Sequence, residues 1–261
     1  KENAELLRKS IDAVCVKYEL QTKYGALLPF QLQYTAQPLT LSCCKDTAYP
    51  VSEEEYREYI GGDTNPRNDL EGFQNYLENN YANYRYYPEI LSSAVLDKKY
   101  SDSINLMRER LGGEILCMTR FMTGIDDWPA YNNAIYLLEN GFVQKYRMLL
   151  YSHILYHGLP DFHIYYEQVG FTDDCMQRRA DSCLPSTLLP SFMISQMLAY
   201  TSVDGKRLEI LKGVPQDWFK KGFSFDNIAT PSGIVSVICR HNTLTVNING
   251  IRPDTEIRLY T

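Results

Sequence analysis

The chain has 261 residues, 44% hydrophobic and 22% charged, with a formal charge of −6 and a pI near 5.3. This length supports one large domain or one large and one small, and the composition is globular rather than disordered. The acidic balance, with no basic run, argues against nucleic acid as a partner, and no apolar stretch reaches the length needed to cross a membrane.

In chain order, Leu7, Ile11, Val14, Cys15 and Tyr18 recur at helical spacing and predict an amphipathic helix over 2–19. Residues 24–50 lose that period, and Pro29, Pro38 and Pro50 mark a long irregular connection. Ser52-Glu53-Glu54-Glu55 reads as a capping box for a short helix ending at Gly61-Gly62, and a further helix is expected from Asp69 to Asn80. Tyr81, Tyr84, Tyr86 and Tyr87 form an aromatic knot before Pro88. Helices are then expected over 88–97, 102–111, 129–140 and 142–157, with a loop-rich segment between Gly158 and Pro185. Residues 186–200 form an apolar helix in which Met193 and Met197 read as core. From the Asp204-Gly205 turn signal onward the period changes to alternation, over 208–211, 223–225, 233–239, 243–248 and 256–260.

The seven cysteines (Cys15, Cys43, Cys44, Cys117, Cys175, Cys183, Cys239) contain no CxxC pair, so neither a disulfide scaffold nor a zinc knuckle is expected. No signal peptide is legible, and the first residue is Lys1 rather than methionine, which fits an upstream part having been removed.

Residues 112–185 hold most of the chemistry-bearing side chains, beside turn residues rather than along a regular charged helix face. That density is expected where helix ends and loops converge on a pocket for a polar ligand; helix caps and buried hydrogen-bond networks are the competing account. Within this stretch and beyond it, Gly113-Glu114-Ile115-Leu116, Arg120-Phe121, Asp126-Asp127-Trp128-Pro129-Ala130-Tyr131-Asn132 and Tyr166-Glu167-Gln168 resemble motifs in the C-terminal half of six-hairpin glycosidase-like proteins. So do Arg178, Asp181-Ser182-Cys183-Leu184-Pro185-Ser186 and Val214-Pro215-Gln216-Asp217-Trp218-Phe219. The resemblance runs from about residue 84 to the end.

It implies a mainly α fold, an incomplete α/α-toroid of helical hairpins over 1–201 followed by a small antiparallel β domain over 202–261. It further implies an oligo- or polysaccharide as partner, no cofactor, and a periplasmic or secreted location. Too few helices are readable to close such a toroid, so apolar surface is expected to face a missing N-terminal segment or a partner subunit.

Glycoside hydrolysis needs two carboxyl groups with separated roles. Asp126 and Asp127 supply adjacent carboxylates beside the ring platform of Trp128, and Glu167 sits between aromatic neighbours able to desolvate it. These three are the catalytic candidates, with Asp126 and Glu167 expected to face one cleft. An N-cap role remains open for either aspartate, and a structural hydrogen bond for Glu167. Trp128, His153, His157, His163, Tyr166, Arg178 and Asp181 are the substrate-binding candidates. His153 and His157 share a helix face and are able in principle to bind a metal, but no HExxH surrounds them and no third ligand is legible, so a satisfied core pair or sugar donors is the expectation and no metal is assigned. The alternative to a glycosidase is a non-catalytic glycan-binding or structural fragment of a larger protein.

Overall fold

The computed structural model describes residues 2–28, 87–110, 112–121, 124–170, 179–241 and 243–261. The expected helices at 52–61 and 69–80, the tyrosine knot over 81–86 and nearly all of the expected irregular connection lie outside these residues. Six helices and four sheets occur among the described residues, so the fold mixes helix with a sizeable β part and the expectation of a mainly α toroid is overturned. The physical reason lies in residues 114–126 and 158–182. Their strands are mostly two to four residues long, too short to display alternation, and the pairing of Gly124–Asp126 with Ile164–Gly170 sets Asp126 opposite Gln168, 42 residues further along.

The described chain forms two compact units. Of the described residues, the first takes 2–28, 87–90, 95–110, 112–113 and 120–121. Its helix α1 (Glu2–Tyr18) leads into an antiparallel hairpin of β1 (Leu20–Thr22) and β2 (Gly25–Leu27). The expected helix over 88–97 is only a single 3-10 turn, Tyr87–Ile90, and α2 spans Lys98–Arg110. Cys15, Ala26 and Tyr100 bury together, with Ile11, Leu28 and Leu96 packed against them. The Tyr100 hydroxyl donates to Glu19 at 2.7 Å, and Lys99 forms an ion pair with the same carboxylate.

The second unit takes, of the described residues, 91–94, 114–119, 124–170, 179–241 and 243–261. Helices α3 (Ala130–Glu139) and α4 (Val143–Ser152) pack Leu137, Leu138, Tyr146 and Leu149 into a core shared with Met193 and Met197 of α5 (Leu184–Leu198). The buried Tyr146 hydroxyl donates to the Met193 carbonyl at 2.6 Å, which satisfies a polar group that burial would otherwise penalise. Against these helices the chain builds a six-stranded sheet from β3 (Glu114–Ile115), β4 (Met118–Phe121), β5 (Gly124–Asp126), β6 (Gly158–Leu159), β7 (Ile164–Gly170) and β8 (Arg179–Ser182). β7 pairs antiparallel with β5, β6 and β8 and so organises the sheet. Gly124 is required where β5 meets β7, because a Cβ there would lie 2.2 Å from the Val169 carbonyl oxygen.

Two three-stranded sheets follow. β9 (Ala199–Thr201) and β14 (Glu256–Leu259) flank β10 (Arg207–Ile210), β14 in parallel. In β10, Glu209 is buried and accepts from Arg207 at 3.1 Å and from the Tyr260 hydroxyl at 2.6 Å. A short helix, α6 (Gln216–Lys221), then leads into the meander of β11 (Phe223–Thr230), β12 (Gly233–Arg240) and β13 (Thr243–Asn249). Register explains its two faces. Val235, Val237 and Cys239 of β12 are buried opposite Ile248, Val246 and Leu244, while Ser236 and Arg240 lie opposite Asn247 and Thr243 on the outer face. Alternation of this length survives in the sequence, and strands occur where it is read there.

Candidate functional site

β5 ends at Asp126, and the chain then turns through Asp127, Trp128 and Pro129 into α3. The two adjacent carboxylates part company at this corner. Asp126 is fully buried; its Oδ1 accepts from the Trp128 backbone N–H at 2.8 Å, and its Oδ2 lies 3.4 Å from the Gln168 amide nitrogen. This is an Asx turn, and it fixes the bend at the strand end. Asp127 donates its backbone N–H to the Glu167 carbonyl at 3.0 Å and turns its side chain to the imidazoles, with Oδ2 2.8 Å from His153 Nε2 and 3.9 Å from His157 Nδ1. Pro129 occupies the N-cap of α3 with no side-chain cap bond, so neither aspartate caps the helix in the ordinary way.

The histidines come from the end of α4. After Ser152 the helix widens into a π turn, His153–His157, that stops at Gly158. A Cβ at 158 would lie 2.5 Å from the Ile154 carbonyl oxygen, so only glycine lets the chain leave the widened turn this way. The two rings stack 5.0 Å apart at 11°, and Tyr165 stacks on His153 at 5.1 Å and 8°. Both imidazoles are fully buried, and desolvation pushes each pKa down to about 4, so both are neutral at pH 7. One oxygen or nitrogen each from Asp127, His153 and His157 lies within 4.8 Å of the other two, the set of donor atoms a metal ion would use.

Tautomers follow from the acceptors. His157 Nδ1 lies 2.6 Å from the Tyr166 carbonyl oxygen, which only accepts, so Nδ1 carries the proton. His153 Nε2 faces a carboxylate and donates to it. The remaining nitrogens, His153 Nδ1 and His157 Nε2, are therefore lone pairs, and they are buried with no hydrogen-bond partner among the described residues.

Strand alternation sorts the rest. Asp126 pairs directly with Gln168 and shares its face of the sheet, whereas Glu167 lies on the opposite face with Tyr165 and Val169. Register thus sets Asp126 and Glu167 on opposite faces of the sheet rather than in the one cleft expected. Glu167 and Tyr166 are half-buried, and Tyr166 serves the histidines with its carbonyl. Trp128 is 53% exposed. His163 is exposed in a left-handed conformation (φ 51°) at the turn before β7. Asp181 lies on β8; its side chain, and Arg178 altogether, fall outside the described residues. Sequence reading finds all three members of the Asp127, His153, His157 cluster but does not join them. The spacing of the histidines is a visible signal; the carboxylate 26 residues before His153 is not.

Comparison with known proteins finds no matching family model, no curated protein and no solved structure of significant similarity. The resemblance to six-hairpin glycosidases is accordingly corrected: neither the helix count nor any comparison supports it.

Proposed function

We propose that the chain is a carbohydrate-active protein that hydrolyses a glycosidic bond by carboxylate acid–base chemistry. The observation that carries this reading is a half-exposed tryptophan, Trp128, placed directly after two buried carboxylates at a strand–helix corner. An amphipathic ring open to solvent suits the apolar face of a sugar. Glu167, the more accessible carboxyl, protonates the leaving oxygen. Asp127, oriented by the His153 N–H, takes the proton from the water that attacks the anomeric carbon. The bond between anomeric carbon and leaving oxygen breaks, the bond to water forms, and proton exchange with solvent restores both groups.

Release of reducing sugar from a panel of oligosaccharides tests it. Glu167→Gln is expected to lower kcat by about a hundredfold or more with the circular dichroism unchanged, and Trp128→Ala to raise KM. Saccharide binding without turnover would leave the non-catalytic glycan-binding role; no binding to any saccharide overturns the reading.

A further inference from the structure

The Asp127, His153, His157 cluster is incomplete as a hydrogen-bonded network. Two neutral imidazoles own two N–H donors and two lone pairs. Both donors are matched, to Asp127 and to the Tyr166 carbonyl, and both lone pairs are not. Buried polar atoms of this kind are nearly always satisfied, so the pair is not the satisfied core pair that its spacing suggests. What is missing must accept a lone pair: a cation, or an O–H or N–H donor.

A cation fits better. An ion draws on all three side chains, one ligand atom from each lying within 4.8 Å of the other two. The Asp127 carboxylate, 2.8 Å from His153 Nε2, supplies the charge. The Tyr166 carbonyl and the widened turn add the outer contacts that orient metal-binding histidines.

We propose that Asp127, His153 and His157 bind one divalent first-row transition ion of the Zn2+ or Co2+ type. Two imidazoles and one carboxylate favour such ions over Mg2+ or Ca2+, which prefer all-oxygen shells. Bonds of about 2.0–2.2 Å require the three groups to draw together. His157 keeps its Nδ1–H on the Tyr166 carbonyl and offers Nε2, whereas His153, which turns its protonated Nε2 to Asp127, gives that nitrogen to the ion and carries its proton on Nδ1 instead. The inference shares Asp127 with the saccharide reading but rests on the hydrogen-bond accounting and on the proximity of the three ligand atoms, not on any sugar.

The test uses the whole chain, stripped with a chelator and titrated with Co2+ by visible absorption, followed by Zn2+ competition. One Co2+ per chain is expected, displaced by one Zn2+. His153→Gln, His157→Gln and Asp127→Asn should each weaken Co2+ binding at least about 10-fold, and His241→Gln, at an exposed position, should not. Should the glutamine variants fail to fold, Co2+ bound to the unaltered chain should still shift the N–H resonances of two histidines. No stoichiometric Co2+, binding indifferent to all three substitutions, or no shifted histidine resonance overturns the proposal. Since no saccharide is present, failure here leaves the glycosidase reading standing, and absent sugar turnover leaves the ion site standing.

Discussion

At the scale of single residues, Asp126 and Asp127 show how one covalent step changes a role. Alternation sends Asp126 to the Gln168 face, where it holds the Trp128 N–H, and sends Asp127 toward the imidazoles. Asp126→Ala removes the acceptor for a part-buried N–H and is expected to cost about 1–2 kcal/mol in urea unfolding. Asp126→Asn keeps an oxygen in the same place and should cost less than about half of that. Equal losses for the two variants would show that the charge of Asp126 matters and that the turn bond does not.

At the scale of elements, the β3–β4 turn bears on how the histidines are positioned. Leu116 and Cys117 both adopt left-handed backbone, at φ 52° and 64°, a conformation that suits Gly or Asn and strains other residues. The strain is held from outside. The Ser152 hydroxyl donates to the Leu116 carbonyl at 2.9 Å and the Asn133 amide to the Cys117 carbonyl at 3.2 Å. Ser152 immediately precedes His153, so the strained turn anchors the end of α4 where the π turn begins. Cys117→Gly relieves the backbone and is expected to raise stability by up to about 1 kcal/mol, read as a higher thermal midpoint. A lower midpoint would mean that the Cys117 side chain contributes more than its backbone costs.

At the scale of the whole molecule, the buried histidines make stability depend on pH. Their folded pKa values, about 4, lie below the ordinary value of 6.5, so between these limits the unfolded chain binds more protons than the folded one. Stability is therefore full above about pH 6.5 and falls as the pH drops toward 4. The expected loss between pH 7 and pH 4.5 is on the order of a few kcal/mol, read as a falling urea midpoint, and His157→Gln should flatten the slope. A midpoint that holds constant from pH 7 to 4.5 would contradict the burial of a neutral pair.

The sequence alone determined what depends on local spacing. The helix α1, the cores of α3, α4 and α5, and the long alternating strands β12 and β13 each repeat their period often enough to be read one residue after another. It also drew attention to Asp127, His153, His157 and Glu167. Only the tertiary structure decided that β3 to β8 form a sheet, because strands this short carry too little alternation to be read and the β5–β7 pairing that joins them depends on residues far along the chain. The same holds for the site. Register on β7 separates Asp126 from Glu167, and the π turn carries two imidazoles to a carboxylate on another element. Spacing along a chain specifies a face of one helix or strand; which faces meet is fixed by packing, and no single stretch encodes that.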